Sequence, residues 1–175
     1  MIYKRLSVFV LFSLFFFSFT PELKAYSDSL LIQGKVKSKQ KKLNNIEVKV
    51  YLNNTLFKHR KLNNTTKFKL NVPLNEIITV EISADDHHSK RFMLDSHVPK
   101  NPKQELNYLF EMHLFSIKEM EKVNTSLLDF PIGLVAYDNK KGFIHNKQYT
   151  QQMKKEYVRL LEQSKRLKKL ELKSK

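Results

Sequence analysis

The chain has 175 residues and a formal net charge of +15, and it contains no cysteine. The absence of cysteine excludes disulfides, thiolate metal sites and a cysteine nucleophile. Hydrophobic residues make up 41% of the chain, which argues against wholesale disorder and is enough for one folded domain with a core.

The first 25 residues predict a signal peptide. Lys4 and Arg5 precede an apolar run over residues 6–19, and Pro21 follows it. A membrane-spanning helix needs about 20 residues, so this shorter run is typical of a signal-peptide core rather than a permanent anchor. Cleavage is predicted after Ala25. Export without cysteine favours a bacterial envelope, with the mature protein in the periplasm or associated with the outer membrane.

Residues 26–116 predict a β-sandwich. Apolar and polar residues alternate with a period of two from residue 30 to about residue 115, and Asn, Lys, Pro or Asp clusters interrupt the alternation every eight to twelve residues. The pair Asn53-Asn54 predicts a tight hairpin turn, since Asn tolerates the left-handed backbone conformation. About seven short strands result, and a mainly β, seven-stranded antiparallel sandwich with a C-terminal α-helix is the expected fold.

The pattern changes after residue 116. Residues 117–146 predict an extended linker with a short strand at residues 134–137. Residues 147–175 predict a basic amphipathic helix, because apolar residues recur there at steps of three and four. The predicted apolar face consists of Tyr149, Met153, Tyr157, Leu160, Ser164 and Leu167.

Eight short segments follow one another in a recognisable order: Gly34-Lys35-Val36, residues 46–51, residues 68–73, Lys90-Arg91-Phe92, residues 95–99, residues 110–115, residues 128–131 and Tyr137-Asp138. Together they resemble the carboxypeptidase-regulatory-like domains, which are transthyretin-like β-sandwiches of exported Bacteroidota proteins. The resemblance spans roughly residues 30–153, and it implies a non-catalytic envelope or interaction module with no catalytic residues to transfer.

One segment has the residue types of a metal site. Carboxylate and imidazole groups are common ligands for transition metals, and the candidate ligands are Asp85, Asp86, His87, His88 and His97. In a strand, adjacent side chains point to opposite faces, so each face of residues 85–88 would hold only two ligands. His97 or His59 would have to be supplied by the fold. The alternative is a polar turn, where the resembling proteins carry Gly-Tyr.

The predicted helix carries a second candidate site. Ten Lys or Arg residues lie in residues 147–175 against Glu156, Glu162 and Glu171. Such a surface can contact anionic lipid or an acidic glycan, or it can be a solvated helix face. Nucleic acid is not an expected partner of an exported chain. The candidate contact residues are Lys154, Lys155, Arg159, Lys165, Arg166 and Lys169.

These features predict a protein that is not an enzyme and needs no cofactor. The chain has no Gly-x-Ser-x-Gly element, and its three glycines stand alone, so it has no glycine-rich phosphate loop. The leading hypothesis is an interaction or structural module with protein partners in the cell envelope. The alternatives are a metal-binding protein or metal-dependent hydrolase using His87 and His88, and an electrostatic binder of anionic lipid or glycan through the helix.

Overall fold

A computed structural model describes residues 29–39 and 42–174; the predicted signal peptide lies outside these residues. The described chain is mainly β and ends in one long α-helix, as predicted. Its strands are β1 (Ser29–Ser38), β2 (Ile46–Leu52), β3 (Thr55–Leu62), β4 (Lys67–Pro73), β5 (Ile77–Ser83), β6 (Lys90–Asp95), β7 (Asn107–Leu114), β8 (Leu134–Asp138) and β9 (Gly142–His145). Two short 3-10 helices, Ile117–Met120 and Ser126–Asp129, follow β7, and α1 spans Lys147–Lys173.

The strands form two sheets that share one core. The three-stranded sheet has the order β4-β1-β7, and the six-stranded sheet has the order β3-β2-β5-β6-β8-β9. Alternate side chains of both sheets belong to the same buried cluster, which includes Ile32 of β1, Val48 of β2 and Leu94 of β6. This burial is the physical origin of the period-two pattern in the sequence.

The strand count and the strand directions differ from the prediction. The described residues hold nine strands rather than seven, because β8 and β9 extend the larger sheet. Two pairings are parallel: β1 pairs with β7, and β6 pairs with β8. A parallel pairing requires a long connection between its strands, and both pairs are separated by enough chain to provide one.

The turns agree with their sequence signals. Asn53 and Asn54 connect β2 to β3 with φ angles of 47° and 68°, and Asn64 follows β3 with a φ of 55°. These positive values lie in the left-handed region, which Asn tolerates better than most residues. The Asn pair therefore sets the hairpin register in which Leu52 faces Thr55.

The segment predicted as an extended linker is built into the domain. Its two 3-10 helices contribute Met120 and Leu128 to a second apolar cluster, and α1 contributes Met153, Tyr157 and Leu160. The predicted apolar face of the helix is thus the face that is buried. No helix of the described residues combines the length and apolar character needed to cross a membrane.

Candidate functional site

The Asp/His segment forms a turn between β5 and β6. Asp86 has a φ of 57°, and the amide of His87 donates to the carbonyl of Ala84 at 3.2 Å. Asp is one of the few residues other than Gly that enter the left-handed region readily. Residues 85–88 therefore do not alternate between two faces as they would in a strand.

His87 is buried and has both ring nitrogens engaged. It is 7% exposed; Nδ1 lies 2.6 Å from the Asp85 carbonyl oxygen, and Nε2 lies 2.9 Å from Ser38 Oγ. Since a carbonyl only accepts hydrogen bonds, Nδ1 donates to Asp85, and Nε2 shares a hydrogen bond with the Ser38 hydroxyl. A metal ion at Nε2 would have to displace Ser38.

The other candidate ligands have separate partners. The Asp85 carboxylate accepts from Asn45 Nδ2 at 2.6 Å. His97 lies at the opposite end of β6 and pairs with Asp95 at 2.6 Å. A six-residue strand separates the two ends by about 17 Å, which is too far for a shared ion. His59 lies on β3 and pairs with Glu47 at 3.1 Å. In the described ranges, no three His, Cys, Asp or Glu side chains are grouped so that they could hold a metal ion.

A polar cleft lies beside this turn. Its volume is about 1120 Å³, and its lining consists largely of amides and hydroxyls, including Asn44, Asn63 and Thr65. The carboxylate that reaches it is Asp85, which Asn45 already holds. The cleft can donate and accept hydrogen bonds, and its other charged lining residues in the described structure are Lys37 and Lys42.

His88 is the member of the segment with an unused ring nitrogen. Its Nε2 is buried and has no hydrogen-bond partner within the described residues. Burial lowers the pKa of His88, and the positive charges of Lys90 and His87 lower it further. His88 is therefore held in its neutral form at neutral pH.

Lys90 is the unexpected polar residue of the core. It is 5% exposed, and its Nζ donates to the carbonyl of His113 at 2.6 Å. The same Nζ lies 3.7 Å from the centroid of the Phe115 ring and 4.7 Å from that of Tyr157 on α1. Burial lowers the pKa of Lys90 to about 7, and the charge of Glu119 opposes this shift. Cation–π attraction also favours the charged amine.

Lys90 therefore connects three parts of the fold. It lies on β6, Phe115 follows β7, and Tyr157 belongs to α1. An amine with a pKa near 7 can act as a base, but the two rings and the core close this one off from solvent. Its position was readable from the sequence, since Lys90, Phe92 and Leu94 alternate and the last two are apolar. We infer that the contacts of Lys90 with Phe115 and Tyr157 attach α1 to the sandwich.

Tyr157 gives a test of this attachment. Its hydroxyl is buried and has no hydrogen-bond partner within the described residues. An unsatisfied buried hydroxyl costs about 1–3 kcal/mol, so Tyr157→Phe is expected to raise the free energy of unfolding by about 1 kcal/mol. Urea unfolding at pH 7 measures the change.

Tyr149→Phe is the matched control. The Tyr149 hydroxyl donates to the Pro131 carbonyl at 2.7 Å, so its removal is expected to lower the free energy of unfolding by about 1 kcal/mol. Equal losses in both variants would contradict the assignment of Tyr157 as unpartnered.

The cations predicted on the helix are all exposed. Lys154, Lys155, Arg159, Lys165, Arg166 and Lys169 lie on the side of α1 away from Met153 and Tyr157. Among these six, Arg159 has an ion pair, with Glu156 at 2.9 Å. The outward face of α1, defined by these six residues, is thus a positively charged surface on a helix whose other face is anchored.

Comparisons with known proteins add little. No family model matches the chain, and no curated protein matches it. Among solved structures, a crystal structure titled S.CueP is 12% identical with a TM-score of 0.35, over 50% of this chain and 63% of that chain. A likeness this low supports no conclusion about fold or function.

Proposed function

We propose that this protein is a non-catalytic interaction module exported to the bacterial cell envelope. The observation that carries the proposal is the contrast between its reactive groups and its surface charges. His87, Lys90 and Asp85 are all engaged in intramolecular contacts. The outward face of α1, in contrast, presents cations of which five have no ion pair in the described structure.

The sheet arrangement supports the resemblance to carboxypeptidase-regulatory-like domains. The first seven strands alone form a three-stranded and a four-stranded sheet around one core. We propose that these strands are the transthyretin-like unit and that β8, β9 and α1 are an addition to it. In domains of this kind, function is carried by exposed surfaces rather than by the fold itself.

The partner that fits the outward face of α1 is an acidic protein surface. Complementary charges raise the association rate and select the partner, while the buried face of α1 holds the helix in place. Lys122 pairs with Glu171 and Lys168 pairs with Glu121, so the helix is also tied to the preceding segment along its second half. The charged face is therefore presented on a rigid support.

Capture from an envelope extract tests the proposal. The predicted mature chain, residues 26–175, is immobilised and compared with the variant Lys155→Gln/Arg159→Gln/Arg166→Gln. We expect the parent protein to retain a specific protein at low salt and to release it at high salt, because salt screens the attraction between exposed charges. We expect the variant not to retain that protein, because it lacks three of these charges.

A control variant carries the same change in charge elsewhere. Lys100, Lys103 and Lys140 lie in exposed loops, and their replacement by Gln is expected to leave capture unchanged. The proposal fails if the parent protein retains no specific partner, or if both variants retain the same partners as the parent.

A further inference from the structure

The outer face of the three-stranded sheet is a second basic surface, and the helix plays no part in it. Lys35 and Lys37 of β1 point outward there, as do Lys67 and Lys69 of β4, and together they define the basic sheet face. The carboxylate on the outer face of these three strands is Glu111 of β7, which pairs with Lys37 at 2.6 Å. Within the described structure, Lys35, Lys67 and Lys69 form no ion pair.

The register concentrates these charges. Lys35 lies directly opposite Lys67, and Lys69 lies opposite Gln33. Like charges directly opposite each other on a sheet are destabilising. Lys35 also lies opposite Glu111 of β7, which pairs with Lys37, so the charge of Lys35 is partly offset and the unbalanced positive charge is greatest at Lys67 and Lys69. An external anion would relieve the remaining repulsion.

Two cations of β3, an edge strand of the larger sheet, reach across to β4 beside the basic sheet face. Lys58 Nζ donates to the Asn71 carbonyl at 3.4 Å, and Arg60 Nη1 donates to the Lys69 carbonyl at 3.1 Å. Both carbonyls belong to β4, which pairs with β1 alone. Because these side chains occupy the free edge of β4, a partner is not expected to dock there by adding a strand. What remains available is the outer face of the sheet with its lysine side chains.

The side chains of this face favour an extended array of anionic groups over a single phosphate or carboxylate. Lysine is a point charge on a flexible stem, whereas shaped recognition of a phosphate or carboxylate group typically uses the planar fork of arginine. All four outward cations of the face are lysines. Leu109 of β7 lies on the same face, is 76% exposed, and faces Gln33 in register. An apolar side chain among lysines suits the headgroup layer of a bilayer.

We propose that the basic sheet face docks this protein on a membrane surface that contains anionic phospholipid. The inference rests on the proposed envelope location, but it does not depend on the partner of α1. Each lysine near an anionic bilayer contributes about 1 kcal/mol. Removal of three lysines is therefore expected to weaken binding about a hundredfold.

Co-sedimentation with vesicles tests the proposal. The predicted mature chain is mixed with phosphatidylcholine vesicles, with or without phosphatidylglycerol. We expect binding only to the anionic vesicles and a steep loss with added salt. Lys35→Gln/Lys67→Gln/Lys69→Gln is expected to lose about a hundredfold in affinity while keeping the thermal unfolding midpoint of the parent or raising it, since like charges are removed.

The helix supplies the matched control. Lys154→Gln/Lys155→Gln/Lys165→Gln removes the same charge and is expected to change vesicle affinity by less than about tenfold. The proposal is overturned if the parent protein does not bind anionic vesicles, if the helix variant loses as much affinity as the sheet variant, or if a soluble polyanion is bound and vesicles are not. Failure here leaves the capture experiment with α1 unaffected, so the two proposals are separately testable.

Discussion

The free energy of unfolding is expected to rise as the pH increases from about 7 to about 10, and Lys90 is the cause. Burial lowers the pKa of Lys90 from 10.5 to about 7. Between these values the unfolded chain binds a proton that the folded chain has released, so stability increases with pH, by at most about 1.4 kcal/mol per pH unit. The gain in the free energy of unfolding is complete above pH 10.5, the pKa of Lys90 in the unfolded chain. It is lost as the pH falls towards 7.

Lys90→Met isolates this effect. Methionine retains the length and apolar stem of the side chain but cannot be charged, so the rise in stability between pH 7 and pH 10 is expected to disappear. At pH 7 the variant is expected to be at least as stable as the parent, because replacing a buried charge by an apolar residue of similar volume is often neutral or stabilising. Urea unfolding at pH 7, 8, 9 and 10 measures both expectations.

The window is chosen to exclude other groups. The pKa of His88 is lowered from 6.5, so His88 contributes below pH 7. Burial raises the pKa of Tyr108 to about 12 from 10.0, so this residue has the opposite effect above pH 10. The same slope in the parent and in Lys90→Met would remove Lys90 as its source.

Gly34→Ala is expected to destabilise the protein by about 1–3 kcal/mol through overpacking of the core. A Cβ at Gly34 would overlap the Phe68 ring and lie 2.8 Å from Phe110 Cζ. The Phe110 ring also contacts Phe92 with centroids 4.6 Å apart, so the cluster has little room to move away. Denaturant unfolding of the variant and the parent measures the loss.

Gly133→Ala is the matched control for this substitution. The nearest atom to a Cβ at Gly133 is Thr150 Oγ1 at 3.7 Å, an ordinary contact. We expect its effect on the free energy of unfolding to stay within about 0.5 kcal/mol. A small effect at both glycines would mean that the Phe68 ring can be displaced and that close packing is not the reason for glycine in β1.

The fold was predictable where the spacing of apolar residues identifies the buried face of a strand or helix. The alternation around Val48 and the steps of three and four between Met153 and Leu160 each identify the element and its buried face. The pattern of residues 117–146 predicts only an extended linker with one short strand, because short strands and 3-10 helices leave no long periodicity in a sequence. β9 has only four residues, and two of them are exposed, which leaves almost no pattern to detect.

The candidate site was less predictable, since it depends on residues far apart in the chain. The Asp85–His88 segment contains the residue types of a metal site, but His87 meets Ser38, which lies 49 positions earlier. His97 is near in sequence and far in space because β6 separates the two ends. The burial of Lys90 was predictable, because it alternates with Phe92 and Leu94 on the same face of β6.

Local residue patterns specify the elements of this protein: alternation gives the strands, Asn gives the turns, and steps of three and four give a helix with one apolar and one cationic face. These follow from backbone geometry and side-chain burial within a few residues of each other. The packing of the whole chain is what places β7 parallel to β1, Lys35 opposite Lys67, and Lys90 against Phe115 and Tyr157. Such contacts join residues distant along the chain, and their selection depends on how whole faces pack around the core.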